Sequence, residues 1–184
     1  MGDKAADAVR DTAAERGTAM HTYLEHYLDG TGYKDLTPLG KQAEVMANKI
    51  IESGLGDLEE LWGLETTLYY PDLYAGATDV VGVYAGQPAI IDFKQSNKPK
   101  RREWILDYFE QLGAYAMAHN QVYGTEIQSG IVLMCTKDFL FQKFEVSGRE
   151  FVRHQHAFLR KVDQYYKNVS QAKQGQDTKN DQKV

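Results

Sequence analysis

Residues 76–95, GATDVVGVYAGQPAIIDFKQ, constrain this chain more than any other stretch. Two apolar, β-rich runs, 78–84 and 88–93, flank Gly86 and predict two strands joined by a tight turn. A turn centred between Ala85 and Gly86 pairs Tyr84 with Gln87, and the same register sets Asp79 opposite Asp92. Opposed residues of an antiparallel pair share a face, with Cβ atoms roughly 4.5–5.5 Å apart. Lys94 comes two positions after Asp92 and returns to that face about 6.6 Å along the strand. Two carboxylates held so close repel one another, and a divalent cation turns the repulsion into attraction. Ile90, Ile91 and Phe93 make poor surroundings for an unpartnered Asp92 charge. Lys94 could answer Asp92 in a structural ion pair, but that leaves Asp79 unexplained. The expected arrangement is two acids and a lysine converging on a metal, the outline of a metal-dependent hydrolytic site.

The remaining sequence predicts helices on either side of further strands. Residues 3–16 read as a helix that Gly17 interrupts, with Thr18 capping a second helix over 19–28. Thr37-Pro38 is an N-cap followed by a proline at the first helical position, and that helix runs to Ser53-Gly54. A strand is expected over 61–70, a helix over 101–119, a strand pair at 127–135 and 140–145, and a last helix over 148–168. Residues 170–184 hold almost nothing apolar and are expected to be a disordered polar tail. The class is therefore α/β or α+β around a central sheet. At 184 residues a single domain is expected over 1–169, a helical layer (1–56) on a core (57–169).

Composition narrows the chemistry. The net charge of −5 gives no overall basic field, so a local patch must carry any affinity for nucleic acid. One such patch exists: residues 94–102 hold Lys94, Lys98, Lys100, Arg101 and Arg102 directly after the acid pair. Beside a metal site this is a natural clamp for a phosphate backbone. The single cysteine, Cys135, cannot build a disulfide framework, an iron–sulfur cluster or a cysteine zinc site. Residues 1–20 lack the apolar core of a secretory signal and no run is long enough to span a bilayer, so a cytoplasmic protein without a membrane partner is expected. No Gly-rich Walker sequence is present.

Two helical pairs complete the pattern. Gln111 and Tyr115 stand four apart on one helix face, and His21 and Glu25 repeat that spacing upstream. Taken together, ERGTAMHTYLE (15–25), ETTLYY (65–70), GATDVVG (76–82), IIDFKQ (90–95) and QLGAY (111–115) resemble the PD-(D/E)XK nuclease superfamily, in particular its RecB-type exonuclease branch. The likeness covers residues 15–135. A D…DxK pair alone is a weak motif; the ordered combination with an upstream GxxxH and a downstream QxxxY is much more specific.

The resemblance implies a restriction-endonuclease-like α/β core, a central mixed sheet flanked by helices with an N-terminal helical layer. It implies a DNA exonuclease acting from free ends and preferring single strands, with one or two Mg²⁺ or Mn²⁺ ions and no iron–sulfur cluster. Asp79, Asp92, the backbone carbonyl of Phe93 and His21 would hold the metal, with Glu65 in its outer shell. Lys94 would orient or deprotonate the attacking water or stabilise charge on the phosphate. Gln111 and Tyr115 would position the strand and Lys94; Arg16 and Thr18, at a helix start, would join Lys98, Lys100, Arg101 and Arg102 in contacting phosphates. A helicase or single-strand-binding protein would present the strand. A structure-dependent endonuclease, a non-catalytic DNA-end-binding subunit and an RNA-directed nuclease are the rival readings. Thr78 stands where the superfamily's name puts proline.

Overall fold

A computed structural model of the chain describes residues 2–180, with side chains placed for residues 6–172. Four helices and five strands follow in the order α1 (Gly2–Leu28), α2 (Pro38–Gly54), β1 (Leu58–Tyr70), β2 (Tyr74–Tyr84), β3 (Gln87–Ser96), α3 (Leu106–Tyr123), β4 (Ser129–Thr136), β5 (Phe141–Ser147) and α4 (Gly148–Asn180). The strands form one mixed sheet in sequential order. Among the described residues only β3 and β4 pair in parallel, and the helix α3 supplies the crossover that such a pair needs.

The sheet separates two apolar layers. On one side Val80, Ile91, Phe93, Ile131, Leu133 and Cys135 pack against Met20, Leu24, Met46 and Ile50 of α1 and α2. On the other, Val81, Ile90, Val132, Met134 and Val146 pack against Phe109, Leu112 and Ala116 of α3 and Phe151 of α4. Every residue of β4 is buried, the signature of a strand covered on both faces. The fold is the α/β restriction-endonuclease-like core that the sequence reading expected, helices on both sides of a central mixed sheet.

Most element boundaries lie within a few residues of the expected ones, and the helix over 38–54 starts as expected: the Thr37 hydroxyl accepts from the Gly40 N–H at 3.0 Å. The turn at Ala85-Gly86 has φ of 48° and 76°, the left-handed pair that a two-residue hairpin needs. Three expectations are corrected. Gly17 does not interrupt the first helix; α1 is continuous, and the missing Cβ instead lets it close on β3, where a Cβ would lie 3.1 Å from Gln95 Cγ. Thr18 is consequently no N-cap, since its hydroxyl donates back to the Ala14 carbonyl within the helix. Finally, α4 continues through 170–180, part of the expected disordered tail, while 181–184 lie outside the described residues.

One irregularity prepares the site. On β1, Leu64 packs towards α1 and α2 while Leu68, four residues on, is buried on the α3 side. A regular strand keeps positions four apart on one face. Glu65 absorbs the change with a φ of 47°, a left-handed conformation rare outside glycine and asparagine. The same change of face occurs on β2, where Val80 packs towards α1 and α2 but a Cβ on Gly76 would meet Tyr115 of α3 at 2.8 Å. Both strands thus turn over together at the level of Glu65 and Asp79, re-aiming those two side chains.

Candidate metal centre

The hairpin register is the expected one: Tyr84 pairs with Gln87 and Val80 with Ile91. The ladder then stops one step short of Asp79 and Asp92. Where the next backbone bond would form, Asp79 Oδ2 accepts from the Phe93 N–H at 2.6 Å. The acid therefore spans the gap between diverging strands instead of merely standing opposite Asp92. Both carboxylates are buried, Asp79 at 9% and Asp92 at 4% exposure.

Helix α1 closes one side of this gap. Its His21 lies 3.3 Å through Nδ1 from Asp79 Oδ1 and 2.8 Å through Nε2 from the Phe93 carbonyl. Glu65 completes the group: one ligand atom from each of His21, Glu65 and Asp79 lies within 4.8 Å of the others, a spacing that could hold a metal ion. Carboxylates and a carbonyl are donors that suit Mg²⁺ or Mn²⁺, and the imidazole is the softer donor of the set. Glu65, which the sequence reading placed near the metal, thus stands beside His21 and Asp79.

Asp92 and Lys94 form the other half. Their charged groups are in ion-pair contact, the ammonium answering a buried carboxylate oxygen that has no other partner among the described residues. Such an atom is costly without a cation to answer it. Desolvation, with the Asp79 charge adding to it, pushes the Asp92 carboxyl up to about 6, although Lys94 opposes the rise. Burial also pushes Glu65 up, again reinforced by Asp79. For His21 and Lys94 burial works against the charged form, but the hydrogen bonds and charges of Asp79 and Asp92 respectively outweigh it, so both pKa values are raised. The Lys94 ammonium also lies 5.2 Å from the centre of the Tyr108 ring.

The α3 side carries Gln111 and Tyr115, joined by an Nε2-to-hydroxyl hydrogen bond of 2.9 Å. The charges of Asp92, Lys94 and Asp79 all act on the Tyr115 hydroxyl, whose pKa burial raises. The fold therefore brings together the residues that the sequence singled out: His21, Glu65, Asp79, Asp92, Lys94, Gln111 and Tyr115.

The basic residues divide. Lys98, Lys100 and Arg101 follow β3 out of the site, with Arg101 exposed and its guanidinium 5.2 Å from the centre of the exposed Trp104 ring. Arg102 turns away, bonding Glu150 at 3.0 Å and covering Phe109. Arg16 and Thr18 lie inside α1, so a helix-terminus phosphate site does not exist there. Arg16 is 5% exposed and donates to Gln95 Oε1 at 2.9 Å and to Asn97, fixing the chain as it leaves β3.

No protein-family model matches the chain. Among curated proteins it is 31% identical over 130 residues to mitochondrial genome maintenance exonuclease 1 of Xenopus tropicalis, covering 67% of this chain and 36% of that protein. It is 34% identical over 90 residues to the Homo sapiens protein of the same name, covering 46% of this chain and 26% of that one. The chain thus spans about a third of the length of these relatives. A solved putative exonuclease from Eubacterium rectale shares the fold with a TM-score of 0.61 at 15% identity, over 89% of this chain and 68% of its own. The names of these relatives support a nuclease superfamily, and the chain's D…DxK pattern resembles that of the PD-(D/E)XK nucleases.

Within that superfamily's pattern, Asp79 stands for the first acid and Asp92-Phe93-Lys94 for the (D/E)XK triplet. Two features of this candidate site escaped sequence reasoning. Tyr108 under Lys94 shares a face with Gln111 and Tyr115, and the spacing of three and then four residues was the available signal. The left-handed backbone of Glu65 had no local signal, because a glutamate with positive φ is not marked by its neighbours. Among the described residues, no helix is long and apolar enough to cross a membrane.

Proposed function

We propose that this chain is a divalent-metal-dependent DNA exonuclease of the RecB-type branch that hydrolyses phosphodiester bonds from free ends and prefers single strands. The observation that carries this reading is the group of His21, Glu65 and Asp79 within 4.8 Å, at the point where β2 leaves β3 and beside the buried Asp92–Lys94 pair. Its relatives' name, exonuclease, points the same way.

Mg²⁺ or Mn²⁺, when bound, supplies Lewis acidity and a countercharge to the phosphoryl oxygens. His21, Glu65, Asp79 and Asp92, with the Phe93 carbonyl, would hold it. The same donors are now engaged with one another, His21 with Asp79 and with Phe93, so these contacts give way on loading. Lys94, a cation in this setting, orients the attacking water and offsets charge that builds on the phosphate. Gln111 and Tyr115 fix the strand against the α3 side, and Lys98, Lys100 and Arg101 hold phosphates further along. Because α1 closes over the end of β3, through His21 on Phe93 and Arg16 on Gln95, the site suits a narrow single strand better than an intact duplex. A helicase or single-strand-binding protein is the partner that would expose such a strand.

Digestion of 5′- and 3′-labelled single- and double-stranded oligonucleotides with Mg²⁺ or Mn²⁺, with Asp92→Asn as control, tests this. Linear strands should be shortened from an end while closed circular single strands persist. Equal cutting of circles and linear strands would replace the exonuclease by an endonuclease; DNA binding without any cutting would favour an end-binding subunit.

A further inference from the structure

A cleft of about 370 Å³ lies between β1 and the C-terminal half of α3, lined by Trp62, Gly63, Val81, His119, Tyr123 and Thr125 among others. Its walls are aromatic. The Trp62 and His119 rings are tilted by only 22° with centroids 6.5 Å apart, and Tyr123 follows 4.6 Å from His119. Trp62 is 43% and Tyr123 60% exposed, so both offer ring faces to a ligand. No lysine or arginine lines the cleft, and the Trp62 indole N–H donates to Glu60 at 2.7 Å, which places an acid at the rim. A phosphate finds no countercharge there; a flat, uncharged ring does.

His119 is held as a fixed, neutral platform. The Thr125 hydroxyl donates to Asn120 Oδ1 at 2.8 Å, so it accepts from His119 Nδ1–H at 2.7 Å. That leaves Nε2 as an acceptor for an amino group. Burial lowers the pKa of this imidazole. The cleft and the candidate metal centre are both walled by α3. His119 and Tyr123 extend at four-residue spacing the row that begins with Gln111 and Tyr115, a row that winds by about 40° per step around α3. Tyr115 to Tyr123 is about 12 Å along the helix.

We propose that this cleft is a base-stacking subsite, taking one unpaired nucleobase of the strand whose phosphate lies at the metal centre. The proposal rests on the nuclease reading and adds to it a second contact that only an unstacked base can make. Stacking of a base on an aromatic side chain changes affinity by about 5- to 150-fold.

The test uses the full chain in EDTA, where binding is read without cutting, and single-stranded oligonucleotides carrying the fluorescent base 2-aminopurine at successive positions. One position should be quenched. Trp62→Ala should abolish that quenching and weaken binding about tenfold, Tyr123→Ala should weaken it in the same direction, and Trp62→Phe should restore both signals. An abasic nucleotide at the quenched position should weaken wild-type binding and leave Trp62→Ala unaffected. Unchanged quenching and affinity in Trp62→Ala, with its circular dichroism melt unaltered, would overturn the subsite. Wild-type digestion of the same strand with Mg²⁺ separates the two readings. Cutting without Trp62-dependent quenching removes the subsite alone, whereas Trp62-dependent quenching without cutting removes the nuclease reading and keeps the subsite. No binding in EDTA together with no digestion in Mg²⁺ removes both.

Discussion

Asp79 combines a structural and a chemical task that two substitutions can separate. Its Oδ2 accepts from the Phe93 N–H at 2.6 Å, in the place where the β2–β3 ladder has run out, and Phe93 is only 2% exposed. Asp79→Ala removes that acceptor and leaves a buried backbone donor unpaired, a loss of about 1–3 kcal/mol. Asp79→Asn keeps an oxygen in reach of the same N–H but removes the charge facing His21. For a chain of this size each kcal/mol moves the melting temperature by about 2–4 °C. Asp79→Ala is therefore expected to melt ~2–12 °C below wild type, and Asp79→Asn within a few degrees of it. The assay is thermal unfolding followed by circular dichroism in EDTA at pH 8, so that bound metal does not contribute. Both variants should lose metal-dependent cleavage, because neither supplies a carboxylate to the cluster with His21 and Glu65. If Asp79→Ala proved as stable as Asp79→Asn, the idea that this side chain replaces a missing ladder bond would be refuted.

Three other outcomes are expected. Lys94→Ala should reduce cleavage by about 10²–10³-fold, the usual loss when one charge-stabilising group is removed; a rate within a factor of three of wild type takes Lys94 out of the mechanism. Mn²⁺ at a hundred times its Kd should stabilise the fold by about 2.7 kcal/mol, or ~5–10 °C, and this shift should vanish in His21→Ala; an equal shift in the variant would place the ion elsewhere. The third concerns pH. Burial raises the Asp92 carboxyl from the ordinary carboxylate range to about 6, so the fold binds a proton there that the unfolded chain has already released. The Asp92 contribution to metal-free stability is then greatest below pH 4 and is lost as pH rises through about 6, while metal binding, which needs the carboxylate, weakens as pH falls through the same window. Chemical denaturation in EDTA, compared between wild type and Asp92→Asn, and Mn²⁺ titration calorimetry read the two trends; a wild-type-minus-variant stability difference that grows with pH would contradict this sign.

Much of the site was legible because its residues lie on regular elements. Turn chemistry at Ala85-Gly86 fixes the hairpin register, and helical spacing alone places Gln111 beside Tyr115. The helix reading failed at Gly17 for a definite reason. Glycine is a weak helix former, yet there its small size lets α1 approach Gln95, and packing decides against propensity. Arg16 followed the same error: with no helix start beside it, its guanidinium became a buried clamp on Gln95 and Asn97. The basic run 98–102 looked uniform in sequence, but a partner 48 residues away, Glu150, removes Arg102 from the set.

The sequence by itself determined the hairpin, its register and the order of strands and helices, because each depends on residues that are neighbours along the chain. It also named the acids and the lysine. Only the tertiary structure decided how they meet. The parting of β2 from β3, the left-handed Glu65 and the closure of α1 over Phe93 result from packing between elements distant in sequence. A carboxylate bridging two strands, and a glutamate turned to stand beside it, follow from strand twist and buried contacts that no local pattern encodes.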